Sequence, residues 1–135
     1  MKIEETTTLG IEVLNLSSEI FKISLPIPKN NIPTIGVIDS GNLLAGDFEK
    51  YIDGNYNHIE SSGYRDYFHG SIVASLIIAN DELNPSAKDS LGNFKVRHFE
   101  VLSKNYGNSS SANASFNHLS KKIEEIVSNN KDIKI

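Results

Sequence analysis

At 135 residues, with 39% apolar and 22% charged side chains, the chain has the composition of a single globular domain rather than of a disordered or membrane protein. A net charge of -4 and an isoelectric point near 5.5 offer no cluster of Lys and Arg to displace counterions from phosphates, which excludes a nucleic-acid partner. The absence of cysteine removes disulfides, thiolate catalysis and Cys-ligated zinc together.

Residues 1–10 carry Glu4 and Glu5 and three threonines where a secretion signal needs a basic start and an apolar core, so no export is expected and the cytoplasm is favoured. Period-two alternation is cleanest at Phe21, Ile23 and Leu25, and the segment ends in a run containing Pro26, Pro28 and Pro33. Residues 1–32 therefore read as a lead-in of one or two short strands and an extended linker, since Pro restricts itself and the residue before it.

Thr34-Ile35-Gly36-Val37-Ile38 is a short β-branched run of the kind that makes a strand buried on both faces, and it stops at Asp39-Ser40-Gly41. Residues 42–68 have mixed polarity and read as a long irregular connection with room for a hairpin. His69 to Ala79 is too long and too continuously apolar for a surface element, and a buried helix is expected with Ile72, Val73 and Leu76 beneath His69. Its apolar stretch from Ile72 to Ala79, broken by Ser75, falls far short of the roughly 20 residues of a membrane span, so no membrane partner is expected. Asn93 to Leu102 is a second core strand. Phe116, Leu119, Ile123, Ile126 and Val127 then recur at helical spacing, with Lys121, Lys122, Glu124 and Glu125 as a solvated face and Asn113 or Ser115 as N-cap. Asp132 to Ile135 looks like the opening of another strand. The alternation of strand and helix predicts an α/β fold with a mainly parallel sheet and helical crossovers, whose sites lie at the carboxyl ends of the strands, where Asp39 sits.

His58, His98 and His118 lack metal-ligand spacing and read as solvated or structural, while Asp47, Asp53 and Asp66 read as loop residues. No metal or cofactor is expected. Asp39 alone is more simply a strand-end turn residue, and His69 alone a helix-terminal histidine. Their pairing changes that reading.

The segments Ile35-Gly36-Val37-Ile38-Asp39-Ser40-Gly41 and, 30 residues after Asp39, His69-Gly70-Ser71-Ile72-Val73-Ala74-Ser75 together resemble the subtilisin-like serine proteases. In that family a buried strand ends in Asp-Ser/Thr-Gly and the catalytic His opens a helix in a His-Gly-Thr-His-Val-Ala-Gly pattern. The resemblance covers residues 33–135 and implies the N-terminal part of a three-layer α/β catalytic domain. It implies that Asp39 orients His69, that His69 is the general base, and that Ser40, Gly41, Gly70 and Ser71 support the turn. It further implies that Ser103, Lys104, Asn105, Tyr106 and Gly107 pair with an extended peptide or protein substrate by β-augmentation.

The sequence departs from the family in several places. Ala45-Gly46-Asp47-Phe48 stands where His-Pro is common, which leaves a structural calcium in the parent protein unsupported; Ile72 replaces the second His and Ser75 the usual Gly. No Gly-Thr-Ser-Met-Ala-like nucleophile segment occurs, nor a recognisable oxyanion Asn, so the expected function is a serine endopeptidase fragment that hydrolyses peptides only in the complete parent. A non-catalytic interaction module or pseudoenzyme fragment, self-associating through a sheet edge at Ile133 to Ile135, is the alternative. A third reading, Asp39 as a phosphoacceptor, lacks the paired acidic residues and the Lys that such chemistry needs.

Overall fold

The computed structural model describes residues 23–59, 65–87, 93–103 and 112–135. The β-branched run after Pro33 forms strand β1 (Thr34–Asp39), and a 3-10 helix (Gly46–Tyr51) leads into β2 (Ile52–Asn57). Helix α1 (Phe68–Ile78) is followed by the single turn α2 (Asn80–Leu83), a 3-10 turn (Pro85–Ala87), strand β3 (Lys95–Glu100) and helix α3 (Ala112–Asn129).

The three strands make a parallel sheet in the order β1-β3-β2, flanked by helices, so the fold is α/β. Central β3 sets Val37 beside His98 and Asp39 beside Glu100. Because side chains alternate along a strand, Val37 and Asp39 share one face with Val96, His98 and Glu100. That face meets α1. Its core comprises Val37, Val96, Ala74, Ile78 and Ala79, closed by Phe48, Tyr51 and Leu25.

Among the described residues of 42–68 the expected hairpin is not formed. Ile52 to Asn57 runs parallel to β3, with an irregularity between Ile52 and Gly54, whereas a hairpin joins antiparallel neighbours. This strand is polar and largely exposed, so it carries no hydrophobic alternation to announce it; pairing with β3 creates it. Asp53 is accordingly a strand residue, not a loop residue.

The lead-in differs too. Phe21 lies outside the described residues, and residues 23–29 form no strand. Pro26 and Pro28 remove the donors a ladder needs. The segment is held instead by burial of Leu25, by the Tyr51 hydroxyl donating to the Pro26 carbonyl at 2.8 Å, and by the Leu25 N–H donating to Asp47 Oδ2 at 3.2 Å. Lys50, then the Leu25 amide, hold the Asp47 carboxyl below the usual carboxylate range.

Helix α1 buries Gly70, Ala74, Ser75 and Ile78, one stripe at helical spacing, while Ile72 and Val73 are half-buried and Leu76 is 40% exposed. Leu76 therefore does not lie beneath His69 as expected: a segment apolar all round does not reveal which stripe faces the sheet. Its β-branched residues are indifferent helix formers, so burial rather than propensity holds the helix. Helix α3 begins at Ala112, which places Asn113 and Ser115 inside it rather than at its N-cap. Ala112 and Ala114, good helix formers, extend the element past both candidate caps.

On the opposite face, Arg97 ties three elements together. Its Nε donates to Asp53 Oδ2 at 2.7 Å, and its Nη1 donates to Asn130 and Asp132, each at 3.0 Å. Nη2 lies 3.0 Å from the other Asp132 oxygen, a two-pronged contact. Residues after α3 thereby reach the free edge of β1: Lys134 bridges Ile35 in parallel, and its carbonyl accepts the Gly36 N–H at 2.5 Å. Gly36 permits this, since a Cβ there would come within 2.6 Å of the Ile135 side chain.

Arg97→Met should therefore release residues 130–135 from the sheet, read as faster hydrogen exchange of the Gly36 amide and a lower melting temperature. The Arg97 hydrogen bond holds the Asp132 carboxyl below its usual value. Its contribution is complete above the ordinary Asp value of about 3.9 and is lost as pH falls through the lower folded value. The protection factor of the Gly36 amide, its exchange rate corrected for the intrinsic slowing of exchange in acid, should thus fall in wild-type protein on acidification, and no longer do so through this contact in the variant.

Candidate active site

Asp39 ends β1 with its carboxylate nearly enclosed. The next peptide turns back on it, so that the Ser40 N–H donates to Oδ1 at 2.6 Å. The remaining approach is taken by His69, whose Nδ1 lies 2.8 Å from Oδ1 and 3.0 Å from Oδ2. A carboxylate accepts only, so Nδ1 carries the hydrogen, and in the neutral ring it is Nε2 that has the lone pair. The His69 side chain is 70% exposed, and among the described residues nothing hydrogen-bonds to Nε2.

Helix and strand end are brought together by a short set of backbone and hydroxyl contacts. Ser40 Oγ accepts the Gly70 N–H at 2.9 Å. A Cβ on Gly70 would collide with the carbonyl oxygens of both Ser40 and Gly41, so only glycine lets α1 come this close. Gly41 donates its N–H to the Asp66 carbonyl at 2.8 Å, and Asp66 Oδ1 accepts the Phe68 N–H at 2.9 Å, satisfying one open donor of the helix start. Ser71 Oγ accepts the Leu43 N–H at 3.0 Å and donates to the Tyr67 carbonyl. Behind the site, the Asp39 carbonyl accepts from Val101 and Leu102 at 2.8 and 3.2 Å. Asp39, Ser40, Gly41, His69, Gly70 and Ser71 thus form one contiguous cluster.

Three side chains around the cluster carried no signal in the sequence. Glu100, beside Asp39 in the sheet, is buried and receives both arms of the Arg65 guanidinium, Nε to Oε1 at 2.8 Å and Nη2 to Oε2. Adjacent strand ends therefore do not present two unneutralised carboxylates to each other. Arg65 also lies 4.9 Å over the Tyr67 ring, and its hydrogen bond to Glu100 holds the guanidinium even more firmly protonated. His98, 1% exposed, donates through Nε2 to the Ser40 carbonyl at 2.5 Å. Tyr56, Asn42, Asn55, Asn57, Arg65, His98 and Glu100 line a small pocket of about 70 Å³ beside these groups.

Of the expected substrate-binding residues, Ser103 forms an antiparallel bridge with Arg65, and Lys104, Asn105, Tyr106 and Gly107 lie outside the described residues. Among the described residues no three His, Asp or Glu side chains converge as a metal site.

The closest contact in the cluster generates a direct test. Gly70→Ala should destabilise the protein by about 1–3 kcal/mol, because the methyl meets two fixed backbone carbonyls. Urea denaturation measures the loss, and the imidazole nitrogen spectrum should report weakened Asp39–His69 bonding in the same variant.

No protein-family model, curated protein or solved structure matches this chain.

Proposed function

We propose that this chain supplies the Asp and His of an Asp-His-Ser triad and is the amino-terminal portion of a subtilisin-like serine endopeptidase domain. The observation that carries the reading is the Nδ1–Asp39 hydrogen bond, made at the carboxyl end of a parallel strand by a histidine whose Nε2 has solvent before it. A serine hydroxyl becomes a nucleophile when such an Nε2 removes its proton, and the carboxylate at Nδ1 holds the tautomer and stabilises the imidazolium. The nucleophile and an oxyanion donor come, in this proposal, from sequence outside these 135 residues. The reaction requires no cofactor. Residues 103–107 would align an extended peptide, and Ser103 forms an isolated antiparallel bridge with Arg65.

The geometry disfavours Asp39 as a phosphoacceptor, since Ser40 and His69 already occupy its oxygens. An interaction module is the second reading, favoured by the half-exposed Ile135 at the outer edge of β1. It predicts concentration-dependent dimers in sedimentation velocity; a monomer across a wide concentration range counts against it.

The protease reading is tested with the polypeptide encoded by the full reading frame, treated with a fluorophosphonate probe and a peptide substrate. One serine should be labelled. Cleavage should fall roughly 10⁴-fold in Asp39→Asn and roughly 10⁶-fold in His69→Ala, the scale found when members of such a triad are removed. The 135-residue chain alone should not cleave peptides. Labelling and cleavage that survive His69→Ala, or cleavage by the 135-residue chain itself that His69→Ala abolishes, would overturn the proposal.

A further inference from the structure

We propose that His98 is a positioning residue for the Asp39–His69 pair, acting through Ser40; this rests on the triad reading above. His98 stands in the middle of β3 on the face that packs against α1, in register with Val37, where an aliphatic side chain would fill the space without a polar cost. Instead it buries an imidazole. Its Nε2 donates to the Ser40 carbonyl at 2.5 Å, and among the described residues its Nδ1 is buried without a partner. Among the described residues the Ser40 bond is therefore the one hydrogen bond that orients the ring.

Ser40 is the hub that this bond holds. Its N–H fixes Asp39 Oδ1 at 2.6 Å, its Oγ accepts the Gly70 N–H at 2.9 Å, and its carbonyl oxygen is one of the two atoms packed against Gly70. Rotation of the Ser40–Gly41 peptide would move that oxygen into or away from the first turn of α1, which carries His69. His98 blocks the rotation from the sheet side. Among the described residues no hydrogen bond joins it to Asp39 or His69, and its bond to the pair's surroundings is the one to the Ser40 carbonyl, so its influence on the pair passes through the Ser40 peptide.

The test uses the intact 135-residue chain, labelled with ¹⁵N in its imidazoles, at about pH 8.5, above the ordinary histidine range. Wild-type protein should show His69 in the Nδ1–H tautomer with a hydrogen-bonded proton at low field, and Asp39→Asn should abolish that signature. His98→Gln, whose amide can still donate to Ser40, should retain it. His98→Leu should raise the Nε2–H population of His69 about fivefold, the weight of one typical hydrogen bond, with its far-UV circular dichroism unchanged. Should the Leu variant not fold, His98→Asn, polar but too short to reach Ser40, replaces it with the same expected rise. If wild-type His69 lacks the signature, the triad reading itself fails. If the signature is present and survives His98→Leu or His98→Asn, or is lost in His98→Gln, the role of His98 is overturned while the triad reading stands.

Discussion

The approach of Gly70 to the carbonyls of Ser40 and Gly41 is the contact on which the site depends. It lets the amino end of α1 lie directly against the carboxyl end of β1, and it brings the Gly70 N–H to Ser40 Oγ. One residue earlier, His69 then falls beside Asp39 without any long side chain having to bridge the gap. Any larger residue at position 70 would push the helix outward and open the Asp39–His69 distance. Because the imidazole is bonded from behind and open in front, small displacements of α1 act directly on the exposed edge of the His69 ring.

Around that contact the protein solves a solvation problem. Strand ends expose carbonyls and amides, and here they lie under a helix. The Asp39 carbonyl is taken by Val101 and Leu102, the Gly41 N–H by Asp66, the Ser40 carbonyl by His98, and the Leu43 N–H by Ser71. The buried groups among them, satisfied in this way, rigidify the site at little net cost, while His98 Nδ1 stays buried without a partner among the described residues. Glu100 follows the same logic: an ionised carboxylate beside Asp39 persists because Arg65 crosses from the loop before α1 to neutralise it.

Much of the scaffold is legible from the residues. The β-branched run before Asp39 and the period of α3 announce their elements through local pattern, and the apolar segment after His69 is recognisably interior. Strand β2 is not legible, since Ile52 to Asn57 is polar and becomes a strand by pairing with β3 more than 40 residues away. The buried stripe of α1 is hidden for a related reason, that a helix apolar on every side has no contrast to read. Glu100 and Arg65 looked like ordinary charged residues at a strand end and in a loop. His98 carried no spacing that would join it to Ser40, 58 positions earlier in the chain.

By itself, the sequence determined that a strand ending in Asp39 and a helix carrying His69 in its first turn exist in an α/β setting, because periodicity, β-branching and the Asp-Ser-Gly and His-Gly segments are local properties of the chain. Tertiary structure decided that the two residues meet, which nitrogen of His69 faces the carboxylate, and that His98, Glu100 and Arg65 surround them. Those outcomes depend on strand order, register and the few ångströms between Gly70 and two carbonyls, and such distances arise only when segments remote in sequence pack together.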